Sequence, residues 1–328
     1  MQSKDLEYNY VIVGSSGYYL VGYHDVINRP DVSYHKDYNT GFNSRFQRNI
    51  VRWNFSRVVN KFIDTPFKHY VFPRLFPFNF TNKKPLCFLF FANQLYLYKP
   101  AYIKYLKDKF PSARFVLYYQ DLLSTYKKLD IEAERHLFDL IISYDYGDSE
   151  KYGIEFHPTP MSVVSVVENS SIEESDVYFC GYAKSRYGVV HQLYKQLTDS
   201  GLKCDFNLLH MPEGAERLEG INYITKGFDY MLNLQHVLKS KCILEVMQDG
   251  ADGFTPRLWE SIVYNRHLLT NNKLVFSSSF FQEKSMHMIG SEDCSNIRSW
   301  INEPITSEPS LVESLSPHYL LSFVESKL

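Results

Sequence analysis

The sequence predicts an α/β protein built from two successive Rossmann-like domains with parallel sheets. Three observations carry this reading. Apolar runs of four to six residues recur without polar alternation, amphipathic stretches separate them, and the alternation restarts after an interval rich in Pro, Ser and acidic residues near 160–175. In the first half, "YVIVG" (10–14) reads as a strand leading into the glycine loop "GSSGYYLVGYHDVI". "LCFLFF" (86–91) is a second strand, followed by the helical "KPAYIKYLKDKF". "RFVLYY" (114–119) and "DLIISYD" (139–145) are further strands, with the helical "IEAERHLF" between them. In the second half, "DVYFCG", "KCDFNLL", "INYIT", "CILEVM" and "HLLT" read as strands. Helices are expected over "YGVVHQLYKQLTDSG", closed by Gly201, over "DYMLNLQHVLKS" with Asp229 as N-cap, and after Thr255. The expected domains are 1–165 and 166–328, with a final helix able to cross back onto the first.

Composition narrows the function classes. The chain has 328 residues, a net charge of −2 and 45% hydrophobic content, enough for two domains and not the balance of a whole-molecule nucleic-acid binder. Five cysteines form no CxxC pair, and three lie in strand-like runs, so buried reduced thiols are expected. "MQSKDLEYNYVIVG" lacks the features of a signal peptide, and "PLCFLFFANQLYLY" is broken by Asn93 and Gln94, well short of the ~20 apolar residues of a membrane span. A cytoplasmic location is the expectation. The 26 Tyr and 24 Phe exceed what core filling alone usually requires.

The segment "DGFTPRLWESIVYNRHLLTNN" (252–272) carries the most chemistry. Thr255 suits an N-cap and Pro256 the first helical position. The free amides and positive dipole end of that helix then face the crevice above the strand ends, where open α/β sheets bind ligands and helix N-termini favour phosphate. Gly253 allows close backbone approach. Arg257, Glu260 and Tyr264 fall on roughly one face, with Leu258 and Ile262 directed to the core. A nucleotide would use amides for its diphosphate and Glu260 for its ribose hydroxyls, although Glu260 is equally placed to pair with Arg257. "GYAKSRYG" (181–188) follows another strand and offers Gly181, Lys184 and Arg186, cations suited to diphosphate oxygens or to a solvated loop. "TKGFDY" (225–230) ends a third strand, where Phe228 or Tyr230 could meet a base.

The blocks "YFCGYAKSRYGVVHQLYKQLTDSGLKCDF", "KSKCILEVMQDGADGFTPRLWESIVYNRHLLTNN" and "FDLIISYDYGDSEKYGIEFHPTP" resemble bacterial GT-B glycosyltransferases of lipopolysaccharide and capsule assembly. The resemblance covers the second domain well and the first in part. It implies two parallel sheets facing across a cleft, with a nucleotide-sugar donor bound by the second domain. It assigns the diphosphate to Gly253 and Thr255, the ribose to Glu260, and phosphate contacts to Lys184 and Arg186, with Gly181, Tyr230, Phe254 and Arg257 completing the donor site. The paired-glutamate motif of some retaining families is altered, Asp252 standing where its first glutamate would, which leaves the stereochemical outcome open.

An inverting enzyme needs a base at the acceptor hydroxyl. Asp121, after "FVLYYQ", is the favoured candidate, ahead of His24, Asp25 and Asp145, though a turn aspartate would sit there too. No DxD motif stands at a strand end, so neither a metal nor a cofactor is expected; Arg186 and the helix dipole would stabilise the leaving diphosphate. The interval 42–84 carries nine Lys or Arg against the single acid Asp64, a net +8, interleaved with aromatics. It fits a solvated helical surface, an anionic membrane surface at the inner face of the plasma membrane, or, without a supporting motif, nucleic acid. The expected acceptor is a glycan, free or linked to polyprenyl diphosphate, and no nucleic-acid partner is expected. A nucleotide-sugar epimerase and a non-catalytic membrane-surface protein are the alternatives.

Overall fold

The structure is a computed structural model. It describes residues 5–15, 17–37, 41–56, 67–92, 100–125, 131–166, 171–248, 253–290 and 294–328. Asn93, Gln94 and Asp252, and within the basic interval Arg57, Lys61, Phe62 and Asp64, lie outside these residues. The chain divides into two compact units, residues 1–160 with 316–328, and residues 161–315.

The first unit is built on a six-stranded parallel sheet. Its strands are β1 (Asn9–Val13), β2 (Val32–His35), β3 (Leu86–Phe91), β4 (Arg114–Tyr119), β5 (Leu140–Ser143) and β6 (Glu155–Phe156), in the order β2-β1-β3-β4-β5-β6. Successive residues of each central strand point to opposite faces, and both faces are covered. Val11, Val13, Phe88 and Phe90 join one apolar cluster, whereas Tyr10, Ile12, Leu89 and Phe91 join the other. This double covering explains why the strands read as unbroken apolar runs. The C-terminal helix Pro317–Lys327 supplies Leu320, Leu321 and Val324 to the second cluster. Much of the aromatic excess fills this unit, as in the stacked Phe88–Phe115 pair with ring centroids 5.3 Å apart.

The second unit carries β7 (Ser175–Tyr182), β8 (Cys204–Leu209), β9 (Ile221–Ile224), β10 (Ser240–Glu245), β11 (His267–Thr270) and β12 (Met286–Met288). They form a second six-stranded parallel sheet in the order β12-β11-β10-β7-β8-β9. The chain winds outward from β7 to β9, crosses back to β10 on the other side of β7, and winds outward again. The carboxyl ends of β7 and β10 therefore flank a topological switch point.

The local stop and start signals act as expected. Asp229 caps Tyr230–Lys239 by accepting from the Leu232 amide at 3.0 Å, and Gly201 takes the left-handed conformation, φ 76°, just beyond Tyr187–Asp199. β2, β6 and β12 are strands without a counterpart in the sequence reading; they are short and two of them carry a histidine. The cysteines with described side chains, Cys87, Cys180, Cys204 and Cys242, are free thiols. Among the described residues no helix is long and apolar enough to cross a membrane.

Candidate functional site

Two arginines converge on the switch point of the second sheet. After β7 the chain makes a single 3-10 turn, Lys184–Arg186, which turns the Arg186 side chain back over the strand end. Its Nε donates to the Tyr182 carbonyl at 2.8 Å and its Nη1 donates to the Val246 carbonyl beyond β10, so one side chain ties both strand ends. Arg257, in the first turn of helix Pro256–Val263, donates from Nη2 to the Cys180 carbonyl. The two guanidinium carbons stand 5.2 and 5.6 Å from the Phe179 ring centroid, a cation–π seat for both.

Gly181 lies directly beneath the pair. A Cβ there would sit 2.5 Å from Arg186 Nη2 and 3.0 Å from Arg257 Nη2, so only glycine leaves room for both guanidiniums. Arg186 is 8% exposed, and burial together with the Arg257 charge lowers its pKa to about 10, which keeps it protonated at neutral pH. Neither arginine forms a salt bridge with a carboxylate among the described residues. Both are anchored through carbonyl oxygens, so no carboxylate among the described residues compensates their charge by direct contact.

Glu245, the last residue of β10, organises the ground below, and the sequence reading passed over it. It is fully buried, and its carboxylate accepts hydrogen bonds from the hydroxyls of Thr255 and Thr270. Burial raises its pKa, opposed by those two hydroxyls and by the nearby Arg257 and Arg186 charges. Thr255 is the N-cap, accepting from the Arg257 amide at 3.2 Å while donating its own proton to Glu245. Its hydroxyl therefore holds helix to strand. The Gly253 carbonyl, for its part, accepts from Asn272 Nδ2 at 3.0 Å.

The face of Pro256–Val263 expected to be polar is largely buried. Glu260 is 3% exposed, accepts from Asn233 Nδ2 at 3.0 Å, and is also hydrogen-bonded by Tyr230. Burial raises its pKa to about 7, against the lowering effect of Arg257 and of those two hydrogen bonds. Tyr264 is buried as well, its hydroxyl 3.4 Å from the Ser162 carbonyl. Phe254 packs into an apolar triad with Trp259 and Phe280, at 5.5 Å from each.

The fold thus gathers Gly181, Arg186, Thr255, Arg257, Glu260 and Tyr230 near the carboxyl ends of β7 and β10. Lys184 is exposed at its edge, left-handed at φ 39°, with Nζ 5.3 Å from the Tyr182 ring. Tyr182, 44% exposed, stacks on His210 at 5.1 Å and 4°, giving a flat plate beside the cations. Phe228 instead stacks on His236 at 4.9 Å, and His236 on Tyr178 at 5.4 Å, so that ring serves an internal stack.

In the first unit the glycine loop after β1 is filled by the protein's own side chain. Tyr34 hydrogen-bonds the Ser15 amide and carbonyl at 3.1 and 2.8 Å, and a Cβ at Gly14 would fall 2.3 Å from its hydroxyl. Asp121 follows β4 by two positions, with its side chain at the surface and its pKa raised by partial desolvation. Asp145 is committed to capping Tyr146–Tyr152, accepting from the Asp148 amide at 2.8 Å, and His24 faces Asp25 at 3.7 Å on the surface.

No family model and no curated protein matches the chain. Among solved structures it is similar to the apo structure of OtsA, with 8% identity over 92% of this chain and 88% of the other, and a TM-score of 0.47. It is also similar to AviGT4, a glycosyltransferase involved in avilamycin A biosynthesis, with 11% identity over 73% of each chain and a TM-score of 0.46. An alpha-glucosyltransferase in complex with UDP and a 13-mer DNA gives 14% identity, coverage of 73% and 75%, and a TM-score of 0.45. Likeness at this level concerns the α/β architecture alone.

Proposed function

We propose that this chain is a GT-B glycosyltransferase that takes a nucleotide sugar as substrate, with its donor site in the second unit. The observation that carries the reading is the Arg186–Arg257 pair over Gly181, two cations anchored on carbonyls at the switch point of a Rossmann-like sheet. A diphosphate supplies paired anionic oxygens that accept hydrogen bonds from such guanidiniums. As the bond from sugar to diphosphate breaks, negative charge grows on the leaving group. Preformed cations in a partly dry site stabilise it without reorganising. The N-terminus of Pro256–Val263 and Lys184 add to the same field. Glu260, once ionised, would accept from ribose hydroxyls, and the Tyr182–His210 plate offers a flat face to the base. Asp121 is the proposed base toward the acceptor hydroxyl.

The acceptor is proposed to be a lipid-linked or growing surface polysaccharide of the lipopolysaccharide or capsule kind, met at an anionic membrane. Helix Arg45–Phe55 supports this location. It buries Val51, Asn54 and Phe55 and exposes Arg45, Arg48, Arg52, Trp53 and Phe46, the last two at 38% and 73%. The test is calorimetry with UDP, UDP-glucose and other nucleotide sugars, followed by transfer of radiolabelled sugar to polyprenyl-diphosphate-linked glycans. A donor that binds wild type and binds Arg257→Ala at least 10-fold more weakly supports the reading, 10-fold being about 1.4 kcal/mol. Absence of any nucleotide binding, or binding indifferent to Arg257, sinks it.

A further inference from the structure

The second unit contains an open cavity of about 960 Å³ beside the amino ends of β11 and β12. Its walls are the segment 279–285, which leads into the amino end of β12, and the segment 304–314. Ser285 accepts from the Leu268 amide, and the Glu303 carbonyl lies 3.1 Å from His267 Nε2, which places both walls beside the start of β11. The candidate donor site, by contrast, lies at the carboxyl ends of β7 and β10.

The walls are fixed from behind. Trp300 Nε1 donates to the Lys284 carbonyl at 2.8 Å, and the Ser307 amide donates to Asn265 Oδ1 at 2.7 Å. Phe280 is locked against Trp259 with centroids 4.8 Å apart. Ser279, Thr306, Ser310, Glu283 and Glu308 line the cavity with solvent-exposed polar groups. Lys284 is the single cation in the lining, against two carboxylates, so a phosphate or other anion is disfavoured. Phe281, Ile305 and Leu311 add apolar faces between the polar groups.

Exposed hydroxyls and carboxylates beside ring and aliphatic faces match a ligand with hydroxyls at its edges and C–H groups on its faces. We propose that this cavity binds a neutral oligosaccharide, at a site separate from the nucleotide site. The proposal does not rest on the glycosyltransferase reading, because the two sites share no lining residue.

The experiment titrates the full chain with maltohexaose, cellohexaose and mannohexaose, and with an anionic hyaluronan hexasaccharide, by calorimetry and by tryptophan fluorescence. Trp259 and Trp300 both border the cavity walls and report on it. At least one neutral hexasaccharide should bind. Ser310→Trp, which fills the cavity from an exposed position, should weaken that binding at least 10-fold, and Phe281→Ala and Glu308→Gln should each weaken it several-fold. UDP-glucose binding should stay within 2-fold, so failure here is distinguishable from failure at the donor site. If Ser310→Trp does not fold, as judged by circular dichroism, the other two variants decide. The proposal is overturned if no neutral hexasaccharide binds, if binding survives the folded variants, or if the anionic hexasaccharide binds more tightly.

Discussion

At the scale of single residues, Gly181 decides whether two guanidiniums can share one strand end. Alanine there would place a methyl 2.5 Å from Arg186 Nη2 and 3.0 Å from Arg257 Nη2, and long side chains can swing away from it. The expected result for Gly181→Ala is a small change in melting temperature with a loss of UDP-glucose affinity of about 10-fold, roughly 1.4 kcal/mol, in calorimetry. Gly188→Ala is the control, because a Cβ there meets nothing within 4 Å; equal behaviour of the two variants would refute the assignment. Glu260 sets a pH dependence. Its folded-state pKa is about 7 against an ordinary 4.5. Between those values the folded chain holds a proton that the unfolded chain has released, so stability is full below about 4.5 and falls as pH rises toward 7. Glu260→Gln should flatten that part of the curve by roughly 2 kcal/mol in urea unfolding at pH 5 and 7.5. Equal slopes in both proteins would show that the carboxyl is not buried as described.

At the scale of elements, helix Pro256–Val263 is held at its N-terminus by one hydroxyl with two duties. Thr255 accepts from the Arg257 amide and donates to the buried Glu245. Thr255→Ala removes the cap and takes a donor from a buried carboxylate, so a destabilisation of roughly 1–3 kcal/mol is expected in chemical unfolding. Thr255→Ser should recover most of it, since serine restores both hydrogen bonds. A serine variant as unstable as the alanine variant would mean that the methyl, not the hydroxyl, matters. The same linkage explains why Glu245 belongs at the end of β10: it joins Thr255 and Thr270, and so ties the helix start to β11.

At the scale of the whole molecule, charge is unevenly spread. The interval 42–84 carries a net +8 in a chain whose total is −2, so the remainder carries −10. Not all of those cations are available: Lys84 pairs with Asp5 at 2.5 Å, and Arg74 covers the Tyr70 ring at 3.9 Å. Arg45, Arg48 and Arg52 remain exposed on one helix with Phe46 and Trp53. Each cation near an anionic bilayer contributes up to about 1 kcal/mol, and the rings add apolar insertion. Co-sedimentation with anionic but not neutral liposomes is expected, reversed as salt shortens the screening length from ~10 Å at 0.1 M to ~3 Å at 1 M. Reversing the three arginines to glutamate should abolish it and spare UDP-glucose binding. Equal sedimentation with neutral vesicles would return the helix to an ordinary solvated surface.

What the sequence determined by itself is the local material: buried strands as apolar runs, and helix starts at Asp229 and Thr255 with Pro256 behind the latter. These are legible because a cap or an apolar run depends on neighbours within a few residues. The short edge strands β2 and β12 were not, since a strand with one open side needs no continuous apolar run. Tertiary structure decided how the candidate site residues meet. Arg186 and Arg257 belong to separate motifs and meet only because the chain crosses from β9 back to β10, making β7 and β10 neighbours. Tyr182 reaches His210 because β7 pairs with β8. Glu245 reads as one polar residue in "CILEVM", and Glu260 as a ribose ligand or a partner of Arg257, until Thr255, Thr270 and Asn233 close over them. Burial of a charged group is set by partners distant in sequence, and strand order, not local pattern, brings those partners together.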